Sequence, residues 1–217
     1  MSDPVATRVS EARIPTNYGE FQLGYYNNSL DDKDHLTFHM GDLSEGQNIL
    51  VRVHSECMTG DVFGSRRCDC GEQLDHSLRL IAEEGQGLVI YLRQEGRGIG
   101  LLQKIHAYNL QDQGHDTVDA NIMLGHEADE RDYSIAAHIL EDLGIKSVRL
   151  ITNNPDKIRA LESLGITVTQ RVELGDFANS DNSHYLHTKV ERMNHMLRIP
   201  GSPALAEEEI HESQSTD

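Results

Sequence analysis

The chain has 217 residues, with 36 Asp and Glu against 19 Lys and Arg, for a formal net charge of -17. At roughly 150 residues per domain this is one large core with at most an appendage, and an apolar fraction of 37% with 18 Gly and 5 Pro excludes wholesale disorder. The acidic balance repels a polyanion and so disfavours tracking along nucleic acid, yet it permits a small anion held in a local basic cleft.

No apolar run approaches the roughly twenty residues needed to span a bilayer, and nothing reads as a signal peptide. The three Cys, an odd number, make no disulfide scaffold. The expectation is a cytoplasmic protein with no membrane partner and no nucleic-acid partner.

Residues 1–12 carry no sustained pattern and are expected to be flexible. From Arg13 to Val53 short apolar pieces alternate with polar turns, notably at 19–24 and 48–53. These predict strands, the last one delivering His54, Ser55, Glu56 and Cys57 at its end. A helix follows over about 71–84, with Leu74, Leu78 and Ile81 on one face, and stops before Gly85. The run 88–92 is nearly continuous in apolar residues, as in a strand covered on both faces. It empties into Arg93-Gln94-Glu95-Gly96-Arg97-Gly98-Ile99-Gly100, and a helical pattern runs from Leu101 to about Leu110. A second helix over 134–143 ends at Gly144, a strand covers 147–151, and Asn154-Pro155 supplies the cap and first residue of a helix to Leu164. Residues 166–169 form one more strand. The Leu-Gly-Ile triplet at 143–145 and 164–166 marks two helix-to-strand junctions of βαβ type. The fold class is therefore α/β: a mixed or parallel sheet with flanking helices and a β-rich N-terminal part. The working unit is expected over 13–197. Beyond it, 198–217 reads as an acidic flexible tail, carrying Glu207, Glu208, Glu209, Glu212 and Asp217 without Lys or Arg after 200.

All three cysteines fall within 14 residues, at Cys57, Cys68 and Cys70. Asp69 between two of them and Arg66-Arg67 beside them argue against a wholly buried segment. Soft thiolates select zinc, which prefers four ligands. Either His54 closes the site structurally or the fourth position stays open for a water, which the metal would acidify for attack on an electrophilic carbon. The open reading is preferred, because no second Cys or His pair exists for a structural ribbon. Glu56, the charged turn Asp129-Glu130-Arg131-Asp132 and Tyr108 offer proton carriers, but spacing alone does not rank them.

The Arg93–Gly100 stretch alternates Gly with Arg between a strand and a helix, a turn suited to presenting N–H groups and guanidinium forks to phosphate. It is neither a Walker loop nor a dinucleotide fingerprint. Thr152 and Lys157 repeat the placement at the next strand-to-helix junction, and Arg66 and Arg67 add charge beside the cysteines. A thiolate metal near several phosphate-binding turns points to hydrolysis of a phosphorylated heterocycle. The pairs His35/His39 and His184/His187 are read as ordinary surface or hydrogen-bonding residues.

The segments Val53-His54-Ser55-Glu56-Cys57-Met58-Thr59-Gly60-Asp61, Arg67-Cys68-Asp69-Cys70-Gly71 and 93–101 closely resemble GTP cyclohydrolase II. The likeness continues through Tyr108, 110–112, 128–133 and 150–155, and covers roughly 10–197. It implies a hydrolase of riboflavin biosynthesis in stand-alone form, lacking the dihydroxybutanone phosphate synthase to which many members are fused. It also implies one zinc per subunit, magnesium with the triphosphate, a homodimer, and conversion of GTP to 2,5-diamino-6-(5-phosphoribosylamino)pyrimidin-4(3H)-one, formate and pyrophosphate. Carried over residue by residue, Cys57, Cys68 and Cys70 are the zinc ligands. Arg52, Val53, His54, Ser55, Glu56, Gln73, Glu95, Gly96, Arg97, Thr117, Thr152 and Lys157 match nucleotide-contacting positions. Asp129 matches a proton acceptor, Tyr108 a ring-opening tyrosine, and Arg131 a nucleophile at the α-phosphate. A guanidinium is a poor nucleophile, so an electrostatic clamp stays open as the alternative for Arg131. His106 and His126 depart from the family, and His106 is expected to cost one phosphate-facing charge. The competing functions are a paralogue that performs only part of the reaction and a zinc-stabilised purine-nucleotide-binding protein.

Overall fold

The computed structural model describes residues 6–197. Seven strands form one mixed sheet: β1 (Thr7–Thr16), β2 (Gly19–Asn27), β3 (His35–Met40), β4 (Ile49–Ser55), β5 (Gly87–Leu92), β6 (Ser147–Ile151) and β7 (Thr167–Val172), in the order β1-β2-β3-β5-β4-β6-β7. The first three strands and β5 pair antiparallel, whereas β5, β4, β6 and β7 run parallel. Helices α1 (Met58–Asp61) and α2 (Cys70–Glu84) link β4 to β5. Helices α3 (Gly100–Gln111), α4 (Thr117–Met123) and α5 (Ser134–Asp142) link β5 to β6, and α6 (Pro155–Ser163) and α7 (Ser183–Met193) flank β7.

Alternation along the strands splits the core. Ile49, Val51 and Val53 of β4, with Leu88, Ile90 and Leu92 of β5, face a cluster closed by Ile135, Ile139 and Leu140 of α5 and Leu161 of α6. The opposite pleat carries Leu50, Val89 and Ile151 against Ile81, Leu74 and Leu78 of α2. Both faces are covered, as the continuous apolar run over 88–92 requires. Phe21 and Phe38 stack at 4.5 Å between centroids under α2.

The expected flexible start does not reach residue 12. Thr7 to Thr16 form an edge strand paired with β2, and its mostly exposed side chains explain why no apolar alternation marked it. Helices α1, α4 and α7 were also not expected; the first two are short, and the third buries only a small cluster around Leu186 and Val190. The acidic tail 198–217 lies outside the described residues. Among the described residues no helix is long and apolar enough to cross a membrane.

The sheet order creates the site. From β4 the chain crosses to β5 on one side, then returns to β6 on the other. Such a reversal opens a crevice outside the carboxyl ends of the parallel strands. Arg52 and His54 near the end of β4, the turn after β5 and the turn after β6 all meet there.

Candidate active site

The crevice encloses roughly 1060 Å³ of space open to solvent. One end of it is a thiol pocket. Cys57 follows β4, Cys68 sits in the next turn and Cys70 opens α2; their sulfurs all lie within 4.8 Å of one another. Asp61 sets this geometry. Its buried carboxylate accepts from the Cys57 N–H at 2.9 Å and the Tyr91 hydroxyl at 2.8 Å, and His54 Nε2 lies 3.0 Å from both of its oxygens. His54 is thereby turned toward Asp61, and no described His or carboxylate joins the three thiols. Of the two fourth-ligand readings, the open one fits.

Gly60 forms the back of the pocket. A Cβ there would stand 2.9 Å from the Cys68 sulfur and 3.2 Å from that of Cys57, so any side chain would fill the space between the thiols. Lys104 Nζ reaches the Cys57 sulfur at 3.0 Å and Glu95 Oε1 at 2.7 Å. Hydrogen bonds from the Cys68 and Cys70 thiols, reinforced by that ammonium, pull the Cys57 thiol far below its ordinary range. Donating to Cys57 pushes Cys68 up to about 11 and Cys70 well above an ordinary thiol. Three soft donors around a glycine-walled space fit a thiophilic divalent ion, whose binding must displace thiol protons.

The other end is an anion wall. Arg52 Nη1 donates to the Ile151 carbonyl at 3.0 Å and Nη2 to Gln73 Oε1 at 2.8 Å, while its buried Nε has no hydrogen-bond partner among the described residues. Arg97 lies on a single 3-10 turn, Glu95–Gly98, where it adopts a left-handed φ of 63°, rare for a residue with a side chain. The turn is fixed against the 128–131 loop: Glu130 N–H donates to the Arg97 carbonyl at 3.0 Å, and a Cβ on Gly98 would meet the Glu130 carbonyl oxygen at 2.9 Å. Arg97 Nη2 is buried without a partner too. Lys157 Nζ donates to the Val53 carbonyl at 2.6 Å and lies over the Tyr133 ring; burial, then Arg52 and Arg131, hold its ammonium well below the usual lysine range. In a chain of charge -17, Arg52, Arg67, Arg97, Arg131, Lys157 and Lys189 converge on one cleft.

Most of the sequence-derived residues line this space: Arg52, His54, Ser55, Glu56, Gln73, Glu95, Gly96, Arg97, Tyr108, Thr117, Arg131, Thr152 and Lys157 with the three cysteines. Four differ from expectation. The Val53 side chain belongs to the sheet core, and only its carbonyl meets a cleft residue. Asp129 stands outside the lining and accepts from Arg131 Nε at 2.8 Å; burial resists its ionisation, but Arg131 outweighs it and lowers its pKa. Glu95 spends both oxygens internally, on Lys104 and the N–H groups of Gly96 and Met58. His106 is exposed on the far side of α3 and is not part of the wall, so it removes no charge from the cleft.

Tyr108 connects the two ends. Its hydroxyl is 3.2 Å from Thr59 Oγ1, which is 3.6 Å from the Cys57 sulfur. Burial raises its pKa despite Lys104, so it stands as a protonated phenol beside the thiols. Sequence reasoning missed Lys104, Tyr185, Lys189 and His195. Lys104 was readable, one helical turn before Tyr108 and on the same face. Nothing in the local sequence marked the three from 185–195.

Fold and site together define a mixed α/β protein with a three-thiol metal pocket opening into a basic cleft at the sheet's switch point. The chain belongs to the GTP cyclohydrolase II family, whose sequence model matches residues 7–173. It is 55% identical over 195 residues to the riboflavin biosynthesis protein RibBA of Mycobacteroides abscessus, covering 88% of this chain and 47% of that protein. Against the RibBA of Salinispora tropica it is 54% identical over 190 residues (87% and 48% covered), and against that of Bacillus cereus 53% over 197 residues (91% and 50%). The chain thus spans about half the length of these curated relatives.

Proposed function

We propose that this chain hydrolyses GTP to 2,5-diamino-6-(5-phosphoribosylamino)pyrimidin-4(3H)-one, formate and pyrophosphate, as a step of riboflavin biosynthesis. The observation that carries the reading is the shared cleft: a three-thiol pocket and guanidinium donors without partners open into the same space. Buried donors of this kind are costly unless an acceptor completes them, and a triphosphate supplies acceptors in number. Magnesium is proposed to accompany the triphosphate, and the enzyme is proposed to work as a homodimer in the cytoplasm.

Zinc is the ion that Cys57, Cys68 and Cys70 would hold, and when bound it supplies the Lewis acidity that activates water toward an electrophilic ring carbon. The chain's own groups account for the rest. Arg52, Arg97 and Lys157 bind the phosphates, while Gln73, Glu56 and Thr152 line the nucleotide's path. Tyr108, which burial keeps protonated, donates a proton to a ring nitrogen as the imidazole opens. Arg131 acts as a clamp on the α-phosphate. Despite burial, Tyr133 and Asp129 raise its pKa further, so it keeps its proton and has no lone pair to offer. Asp129, paired with that guanidinium, orients it; proton acceptance by Asp129 would first require the pair to part.

A second reading, ring opening without pyrophosphate release, is favoured by one observation: Asp129 does not line the cleft. One incubation with GTP, zinc and magnesium separates the two. Equal yields of formate, pyrophosphate and the pyrimidine support the full reaction. Formate without pyrophosphate supports the partial one, and unchanged GTP with zinc bound would leave a nucleotide-binding protein.

A further inference from the structure

The family match stops at residue 173, yet the cleft does not. Helix α7 comes back over it and contributes Lys189, which is 6% exposed. Arg192 ties this helix to Asp116 at 2.5 Å and Asp119 at 3.2 Å, and the Met196 N–H donates to the Asn153 carbonyl at 2.8 Å. Lys189 itself begins a continuous chain of polar contacts, buried at Lys189, Asp69 and Arg52 and half-buried at Gln73. Its ammonium donates to Asp69 Oδ1 at 2.5 Å; Gln73 Nε2 donates to Asp69 Oδ2 at 2.6 Å; Arg52 Nη2 donates to Gln73 Oε1 at 2.8 Å.

The direction of each bond in that chain is forced. A carboxylate offers only acceptors and a guanidinium only donors, so Gln73 must turn its nitrogen to Asp69 and its oxygen to Arg52. Reversal would set N–H against N–H at Arg52. Asp69 is itself buried at 1% exposure, and Lys189 is the only cation at ion-pair distance from it among the described residues. Leaving either member of a buried ion pair without its partner is costly.

We infer that Lys189 is a positioning residue for the nucleotide cleft: through Asp69 it fixes the Gln73 amide, and through that amide the guanidinium of Arg52. The inference deepens the GTP reading above and rests on it for the substrate, not for the relay. The relay makes an unusual prediction. In Asp69→Asn, Lys189 claims the new amide oxygen and leaves the amide nitrogen facing Gln73. Gln73 must then flip, and Arg52 loses its acceptor. Removing Lys189 as well frees the asparagine to turn its oxygen back to Gln73, which restores the native direction. The double variant Asp69→Asn/Lys189→Met should therefore be better than Asp69→Asn alone.

The test compares wild type, Asp69→Asn, Lys189→Arg and the double variant, each with full zinc content verified. Two readouts are used: KM for GTP and the side-chain amide proton resonances of Gln73 in glutamine-labelled protein. Asp69→Asn should shift the amide pair and raise KM about tenfold or more, the weight of one hydrogen bond to a charged group, with kcat changed less. The double variant should return the amide resonances most of the way to wild type and KM part of the way, since a cleft cation is lost, and Lys189→Arg, which keeps the donor, should leave the amide resonances near wild type. A double variant as impaired as Asp69→Asn in both readouts overturns the inference. So does a loss of thermal stability in Asp69→Asn with KM and the amide resonances unmoved, which would make the chain merely structural. Should the resonances behave as expected while wild type fails to bind GTP, the substrate reading falls and the relay to Arg52 stands.

Discussion

The two ends of the cleft are built on opposite electrostatic plans. In the thiol pocket the charges are answered from within: Lys104 meets Cys57 and Glu95, and Asp61 collects His54, Tyr91 and the Cys57 N–H. On the anion wall they are answered only in part: Arg131 pairs with Asp129 and Lys189 with Asp69. Among the described residues Arg52 Nε and Arg97 Nη2 are buried without acceptors, and the Lys157 ammonium donates to a single carbonyl. A balanced pocket is stable with its donors gathered around a space suited to a soft ion. An unbalanced wall carries its cost until an anion arrives. The difference teaches that the ends are separable: metal binding and nucleotide binding should fail independently under substitution, and only turnover needs both.

The sharpest break falls on the pocket. Cys68→Ser should lose most bound zinc, and formate production should drop to background, while GTP affinity stays within about threefold because no wall residue is touched. Metal analysis, formate assay and GTP titration on the same preparation check this. Full zinc occupancy in the variant contradicts the ligand assignment.

Next comes the residue between the ends. Tyr108→Phe keeps the ring that Arg67 covers at 5.0 Å from its centroid but deletes the proton donor. Formate release should fall roughly 10²-fold or more, as for loss of a proton-transfer group, with pyrophosphate release retained. Equal loss of both products would place Tyr108 outside selective ring chemistry.

On the wall, Arg131→Lys should lower pyrophosphate release about tenfold without abolishing it, since charge remains while the planar fork is lost. Rapid-quench mass spectrometry of wild type should show no nucleotidyl-protein adduct. An adduct formed and consumed at the turnover rate makes Arg131 a nucleophile.

The smallest effect is a proton count. Burial and the neighbouring Arg52 and Arg131 depress the Lys157 pKa, with Lys189 adding to them and Asp129 opposing. A bound polyphosphate raises it again, so GTP binding at neutral pH should take protons up, not release them. Calorimetry in buffers of different ionisation enthalpy reads the sign; release of protons on binding would contradict this account of Lys157.

The parallel half of the fold was largely legible because local rules and tertiary needs agree there. The apolar run 88–92, the Asn154-Pro155 start of α6 and the Gly-Arg alternation after β5 each report the element they build. The cysteine spacing likewise announced its pocket. The remainder was hidden for physical reasons. β1 is an exposed edge strand held by pairing with β2, which leaves no alternation to read. Lys189 reaches Asp69 across 120 residues, a distance no motif spans. Asp129 was named by resemblance and sits in the right loop, but its side chain spends itself on Arg131. Resemblance located the loop; only packing could say which way the carboxylate turned.

The central claim is that the two ends act on one nucleotide, and a zinc titration into metal-free protein preloaded with GTP and magnesium tests it most directly. Formate should rise in proportion to added zinc and level off at one ion per chain, while GTP affinity, followed in parallel, stays constant. Formate produced equally well without zinc, or GTP binding that itself requires the metal, would contradict it.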